Sequence, residues 1–363
     1  MAALTPRRAV AYTAILGLVV SCNFFDPLDQ GGFGLVMLPL DTAVYVGNTY
    51  QAHAMMLNQF GDVYSSSHLR YGGLDATVSV SDNGAVRGVA YGRGRVVVSR
   101  DRLADTGWVS VVPPGRLALS SGSHVDVMNV DGSQFQSVAI TGQGDGGAAA
   151  WLPGDAGVVF HYGVPGAAGT TSLVIADLAG NSRLFVQAGR DPRVSRDGSW
   201  IYFGYGGQIS RIHPDGSGLD LVTAAGDYQP DPSPDGMKLV YIRSRTAPPF
   251  GFQVVIRTLQ DGTEQVIDAE LQPQWPRWSP AGDSIAYWTN GKLFLMGVDG
   301  TGARQVSPPA RPIQSAGFDW SPDGQWIVAR SDSTVDLMHV ATGFVLPLPY
   351  TKASGYRGAA WRW

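Results

Sequence analysis

The stretch Trp320-Ser321-Pro322-Asp323-Gly324, with the apolar run 326–329 behind it, decides how this chain reads. The same order recurs as Trp278-Ser279-Pro280-Ala281-Gly282, Pro232-Ser233-Pro234-Asp235-Gly236, Val194-Ser195-Arg196-Asp197-Gly198 and Trp151-Leu152-Pro153-Gly154-Asp155. A sixth, shortened copy is Trp361-Arg362-Trp363. Successive anchors lie 38 to 46 residues apart. A period near 40 residues, with turn residues between apolar runs, marks propeller blades of four strands each. A second marker counts the same way. Gly turns recur at Asp131-Gly132, Ala179-Gly180, Asp215-Gly216, Asp261-Gly262, Asp299-Gly300 and Thr342-Gly343. Asp-Gly suits a tight hairpin, because both central residues of a type I′ turn need φ > 0.

Working outward, the sixth copy lacks its turn and next strand, and Arg116 to Ser121 supplies them. The strand ending at Trp361 is therefore expected to pair into the first blade and leave no open sheet edge. The repeated pattern resembles the TolB-type propeller, whose blades carry Trp-Ser-Pro-Asp-Gly and number six. The resemblance covers residues 114–363 and implies a six-bladed β-propeller there.

Residues 35–113 hold short strand-like runs between turn signals, at the spacing of a β-sandwich. The pieces are Val46-Gly47-Asn48-Thr49, Gln51-Ala52-His53-Ala54, Asn58-Gln59-Phe60-Gly61, Ala76-Thr77-Val78-Ser79, Asn83-Gly84-Ala85-Val86, Gly88-Val89-Ala90-Tyr91-Gly92 and Trp108-Val109-Ser110-Val111. Their order resembles the group 2 bacterial Ig-like domain. Tyr71 stands where that family carries a strand-C tryptophan. The resemblance implies a spacer or adhesive module.

The first residues read as an address. Arg7-Arg8 precedes a 12-residue apolar run from Ala9 to Val20, too short to span a bilayer that needs about 20 residues. The run ends in Val19-Val20-Ser21-Cys22, which resembles a bacterial lipobox and contains the chain's one cysteine. The resemblance implies a signal peptide at 1–21, lipidation of Cys22 and a lipidated tether at 22–34. Localisation in a bacterial cell envelope, anchored to the membrane, follows as an expectation.

Composition agrees with an all-β chain: an Ig-like sandwich, then a propeller, behind a lipoprotein signal peptide. Among 363 residues there are 47 Gly and 23 Pro, with 28 Asp against 2 Glu and 23 Arg against 3 Lys. Asp and Gly favour turns, whereas Glu and Lys favour helices. The formal net charge of -4 has no basic stripe with it, so no nucleic-acid partner is expected.

Chemistry is sparse. No Gly-x-Ser-x-Gly occurs, the six histidines are scattered, and no Asp-x-Asp-x-Asp-Gly loop appears. No catalytic residue, metal or cofactor is therefore expected. The residues just before each anchor recur on every blade and approach the axis at one mouth of the channel. They include Asp191, Arg193, Asp227, Asp231, Arg277, Asp319 and Arg357. Mixed Asp and Arg there would dock a peptide or small ligand, or pair with each other as structural salt bridges. The expected function is non-catalytic binding of a protein or peptide partner. The alternatives are a carbohydrate-binding or polysaccharide-lyase-like propeller, and a structural envelope component without a specific ligand.

Overall fold

The computed structural model describes residues 34–58, 60–65, 68–121, 124–139, 149–163, 171–224, 226–248, 250–267, 272–332, 334–351 and 355–362. The signal peptide, Cys22 and all but the last residue of the tether lie outside the described residues. The chain divides into two compact units between Pro113 and Pro114. Among the described residues the elements are β-strands and two short 3-10 turns.

The first unit is built from three small sheets. Gly34–Leu38, His53–Leu57 and Val63–Ser65 form one, and Thr49–Gln51, Ala85–Gly88 and Val78–Val80 another. The third orders Asp41–Tyr45, Leu103–Val112, Gly92–Arg100 and Arg70–Gly73. Inward residues alternate along the long strands: Val96 and Val98 on one, Val109 and Val111 on the other. They meet Leu35, Met37, Val44, Met56 and Val86 in a single core. Tyr71 packs against that core. Residues 50–57 alternate in sequence as one strand would, but Ala52 divides them between two strands. Its N–H turns to the Gly84 carbonyl at 2.9 Å, and the chain passes there from one sheet to another.

The second unit is a ring of six four-stranded sheets. Blades 2 to 6 are contiguous in sequence, and their first strands are Ala149–Trp151, Gly189–Val194, Asp227–Pro232, Gln274–Trp278 and Ile313–Trp320. Blade 1 is composite. Its first strand is Gly358–Trp361, and Arg116–Ser120, His124–Asn129 and Gln136–Ala139 follow. Leu117 faces Trp361 and Ser120 faces Gly358 in an antiparallel register. Each first strand touches the first strands of both neighbouring blades, so the inner ring closes.

The repeat has a chemical reason. Ser195, Ser233 and Ser321 each donate from Oγ to the Asp two residues on, at 2.6, 2.5 and 2.5 Å. The same oxygens accept the N–H of Trp200, Lys238 and Trp326, five residues on, at 2.9, 2.8 and 2.9 Å. The Gly of each turn has positive φ, near +70°, where a side chain would be strained. In blade 5 Ala281 replaces the Asp, and Asp283 accepts the Ser279 hydroxyl instead at 2.8 Å. The outer hairpins use a related device: Asp131, Asp215, Asp261 and Asp299 each bind the Ser or Thr two residues later.

Trp361 is fully buried and closes the ring. Deleting Ala360–Trp363 should abolish cooperative thermal unfolding of the propeller, and Trp361→Ala should cost about 3–5 kcal/mol in urea denaturation. A truncated chain that kept its transition would contradict strand closure.

Candidate functional site

The residue before each anchor defines one layer around the axis. From blade 1 to blade 6 these residues are Ala360, Ala150, Arg193, Asp231, Arg277 and Asp319. All six are buried. Arg193 donates from Nε to Asp231 at 2.6 Å and from Nη2 and Nη1 to Asp319 at 3.0 and 3.4 Å. Blade 6 lies opposite blade 3, so this guanidinium crosses the axis. Burial works against its charge, but Asp319 and Asp231 outweigh that and raise its pKa. Burial raises the Asp231 pKa despite Arg193 and Arg277 nearby. The carboxylates also bind the neighbouring blade. Asp231 accepts the Trp278 N–H at 2.8 Å, and Asp319 accepts the Trp361 N–H at 3.2 Å.

Arg277 shares the layer but makes no ion pair among the described residues. Its Nη1 donates to the Pro276 carbonyl at 3.0 Å, and its Nε has no acceptor. Burial and the like charge of Arg193 push it down to about 10.

Two residues nearer the mouth the chain bulges. Asp191, Gln229 and Trp275 have φ of 51°, 56° and 48° and each precedes a proline. The ladders of blades 3, 4 and 5 shift register at these points. Neighbouring groups catch the freed N–H groups: Gln229 Oε1 accepts from Trp275 at 2.8 Å, and His161 Nδ1 from Asp191 at 3.2 Å. The bulges thus hold Asp191 and Gln229 at the mouth. There they line a cavity of about 290 Å³ with Arg190, Tyr228, Ile242, Ser244, Phe252 and Gln274. On the far side of the ion-paired layer a cavity of only about 30 Å³ lies among Arg193, Asp231, Pro234 and Trp278.

The expected site residues therefore separate. Arg193, Asp231 and Asp319 form one buried network, with Arg277 at their level and Asp191 in the mouth cavity. Asp227 turns into blade 4, where Arg243 binds both its oxygens at 2.8 and 3.0 Å. Arg357 is exposed beside the first strand of blade 1, and its N–H reaches the Ser120 carbonyl. Sequence reasoning missed the cavity residues Tyr228, Gln229, Ile242, Phe252 and Gln274. Gln229 alone among them had a signal, the X-Pro-charged triplet repeated as Asp191-Pro192-Arg193, Gln229-Pro230-Asp231 and Trp275-Pro276-Arg277.

Among the described residues a Ser-His-Asp arrangement occurs at the turn between the second and third strands of blade 1. Ser121 Oγ lies 2.9 Å from His124 Nδ1, and His124 Nε2 lies 3.3 Å from Asp126. The hydroxyl is buried and also bonds the His124 carbonyl at 3.1 Å. Blade 6 repeats the device as Ser331, Thr334 and Asp336 without a histidine. The arrangement staples this hairpin, the serine bonding both the ring and the carbonyl of His124. Among the described residues no three His, Cys, Asp or Glu side chains are grouped to hold a metal ion.

No family model matches the chain. An uncharacterized protein of Agrobacterium fabrum is 35% identical over 112 residues, covering 26% of this chain. The chain spans 38% of the length of that curated relative. TolB from Acinetobacter baumannii superposes with a TM-score of 0.54 at 15% identity, over 82% of this chain and 83% of that one. A TolB-type protein from Agrobacterium tumefaciens gives 0.53 at 21% identity, over 63% and 89%. A chain of a nidogen/laminin complex gives 0.54 at 9% identity, over 68% and 97%. The propeller has the TolB-type fold.

Blade 4 carries a pH-sensitive tie. Arg243 bridges Asp227 and Glu264, and hydrogen bonding from Arg243 holds the Glu264 carboxyl down at about 2, from an ordinary 4.5. A depressed carboxylate contributes stability above its unfolded pKa and loses it as pH falls through the folded value. Glu264→Gln should cost about 1–2 kcal/mol at pH 7 and flatten the loss of stability between pH 4.5 and about 2. Urea denaturation across that window checks it, and an unchanged acid limb would contradict the tie.

Proposed function

We propose that this is a non-catalytic lipoprotein of the bacterial cell envelope whose propeller mouth holds a peptide segment of a protein partner. The observation that carries the reading is the mouth cavity between blades 3, 4 and 5. It sets Tyr228, Phe252 and Ile242 beside the amides of Gln229 and Gln274 and the opposite charges of Arg190 and Asp191. Apolar and aromatic walls with a few fixed polar groups suit side-chain burial with main-chain hydrogen bonding. The ion-paired layer beneath favours a surface-docked segment over a threaded one. The staple role of Ser121, His124 and Asp126 supports the non-catalytic reading. In this account the N-terminal unit is an Ig-like spacer, and Cys22 carries the lipid; Val19-Val20-Ser21-Cys22 supports the anchor.

Crosslinking in cells followed by mass spectrometry tests the partner. A defined protein should be captured, and Tyr228→Ala with Phe252→Ala should reduce its yield at least tenfold while the thermal midpoint holds. Unchanged capture would overturn the mouth as the docking face, and glycan-array hits in place of a protein would favour the carbohydrate alternative. Palmitate labelling should vanish in Cys22→Ala; persistent labelling would remove the anchor.

A further inference from the structure

The mouth cavity offers hydrogen-bond donors in excess of acceptors. Gln229 Oε1 is taken by the Trp275 N–H at 2.8 Å, so this side chain has only its NH2 left to offer. Arg190, Tyr228, Ser244 and Gln274 line the same cavity, and among the described residues their side chains hold no hydrogen bond or ion pair. The one lining side chain that can only accept is the Asp191 carboxylate. His161 stands against it at 3.6 Å and Arg190 lines the cavity with it, so the charge of the mouth is balanced within itself. What is left over is a set of neutral and cationic donors.

Tyr228, Ile242 and Phe252 supply the apolar wall, and two more rings flank it. Phe250 is 69% exposed. Gln272 fixes it beside Phe252, accepting the Phe252 N–H at 3.1 Å and donating to the Phe250 carbonyl at 3.4 Å. Tyr205 is 43% exposed on blade 3. The turn after it carries Gly207, whose carbonyl accepts the Gly226 N–H at 2.7 Å and the Asp227 N–H at 3.2 Å. That contact sets the Tyr205 hairpin against the strand of Tyr228, so exposed aromatic rings run from blade 3 to blade 4.

From this geometry we infer that the docked segment is proline-rich and enters the mouth in the polyproline II form. An ordinary extended peptide brings one N–H with each carbonyl, and against these donors each N–H would go unanswered. A proline brings the carbonyl without the N–H. The polyproline II backbone makes no internal hydrogen bonds, so its carbonyls stay open to outside donors, and its rings pack on aromatic faces at low ordering cost. The Gln229 NH2, the Tyr228 hydroxyl and Arg190 would bind the carbonyls, and Tyr228 and Phe252 would take the rings. The inference rests on the mouth being the docking face proposed above.

An array of short Pro-Pro-x-Pro peptides, each beside a counterpart with alanine for proline, tests it on the purified full chain, with fluorescence anisotropy on the hits. Some proline peptides should bind saturably, and their alanine counterparts at least tenfold more weakly. Gln229→Glu keeps an acceptor for the Trp275 N–H and removes only the NH2, so it should weaken a hit at least tenfold while the thermal midpoint holds. Tyr228→Phe keeps the ring, removes the hydroxyl and should weaken the same hit; it keeps the test open should Gln229→Glu fail to fold. No hit on the array, equal binding by the alanine counterparts, or binding unaltered by either folded variant would overturn the inference. The crosslinked partner reads out separately: a captured segment without proline removes this inference and leaves the peptide reading intact.

Discussion

The guanidinium of Arg193 crosses the propeller axis, and the centre of the ring is arranged around it. It binds Asp231 on the adjacent blade and Asp319 on the opposite one. The alanines at the equivalent places on blades 1 and 2 keep the layer free of further long side chains. Each carboxylate passes the link on, Asp231 to the backbone of Trp278 and Asp319 to that of Trp361. The closing strand is thus tied to the axis as well as to Arg116–Ser120. Buried ion pairs contribute little net stability against an apolar alternative, but removing one partner leaves an expensive charge. Their value here is registry: five blades can slide or tilt only by breaking the central contacts.

The same layer divides the channel. Below it a cavity of about 30 Å³ lies among Arg193, Asp231, Pro234 and Trp278. Above it the bulges at Asp191 and Gln229 open the strands and aim polar side chains into the mouth. A β-bulge bends its strand and re-aims a side chain, which is how the ladder of a rigid blade comes to present a binding group. Structure and candidate function therefore use neighbouring residues of the same strands: Arg193, Asp231 and Asp319 close the floor, and Asp191 and Gln229, two positions before Arg193 and Asp231, line the opening.

The blades were legible because each repeated residue has a local task. Ser, Asp and Gly in the Ser-Pro-Asp-Gly turns satisfy one another within five residues. Even Ala281 fits, since Asp283 takes the missing contact. Ring closure was legible from the shortened copy at Trp361. The partners of the axial charges were not, because Arg193 meets groups 38 and 126 residues away across blades. Nor was the break at Ala52, where a tertiary contact with Gly84 interrupts a strand-like alternating run. The mouth cavity needed the left-handed residues before Pro192, Pro230 and Pro276, a backbone state that proline's neighbours seldom adopt and that composition does not reveal.

A double-mutant cycle between Arg193 and Asp319, read by urea denaturation with Arg193→Met and Asp319→Leu, tests the central interaction most directly. Each single change should be strongly destabilising, and the double variant should recover about 2–3 kcal/mol of coupling. Additive losses, with coupling within about 0.5 kcal/mol of zero, would contradict it.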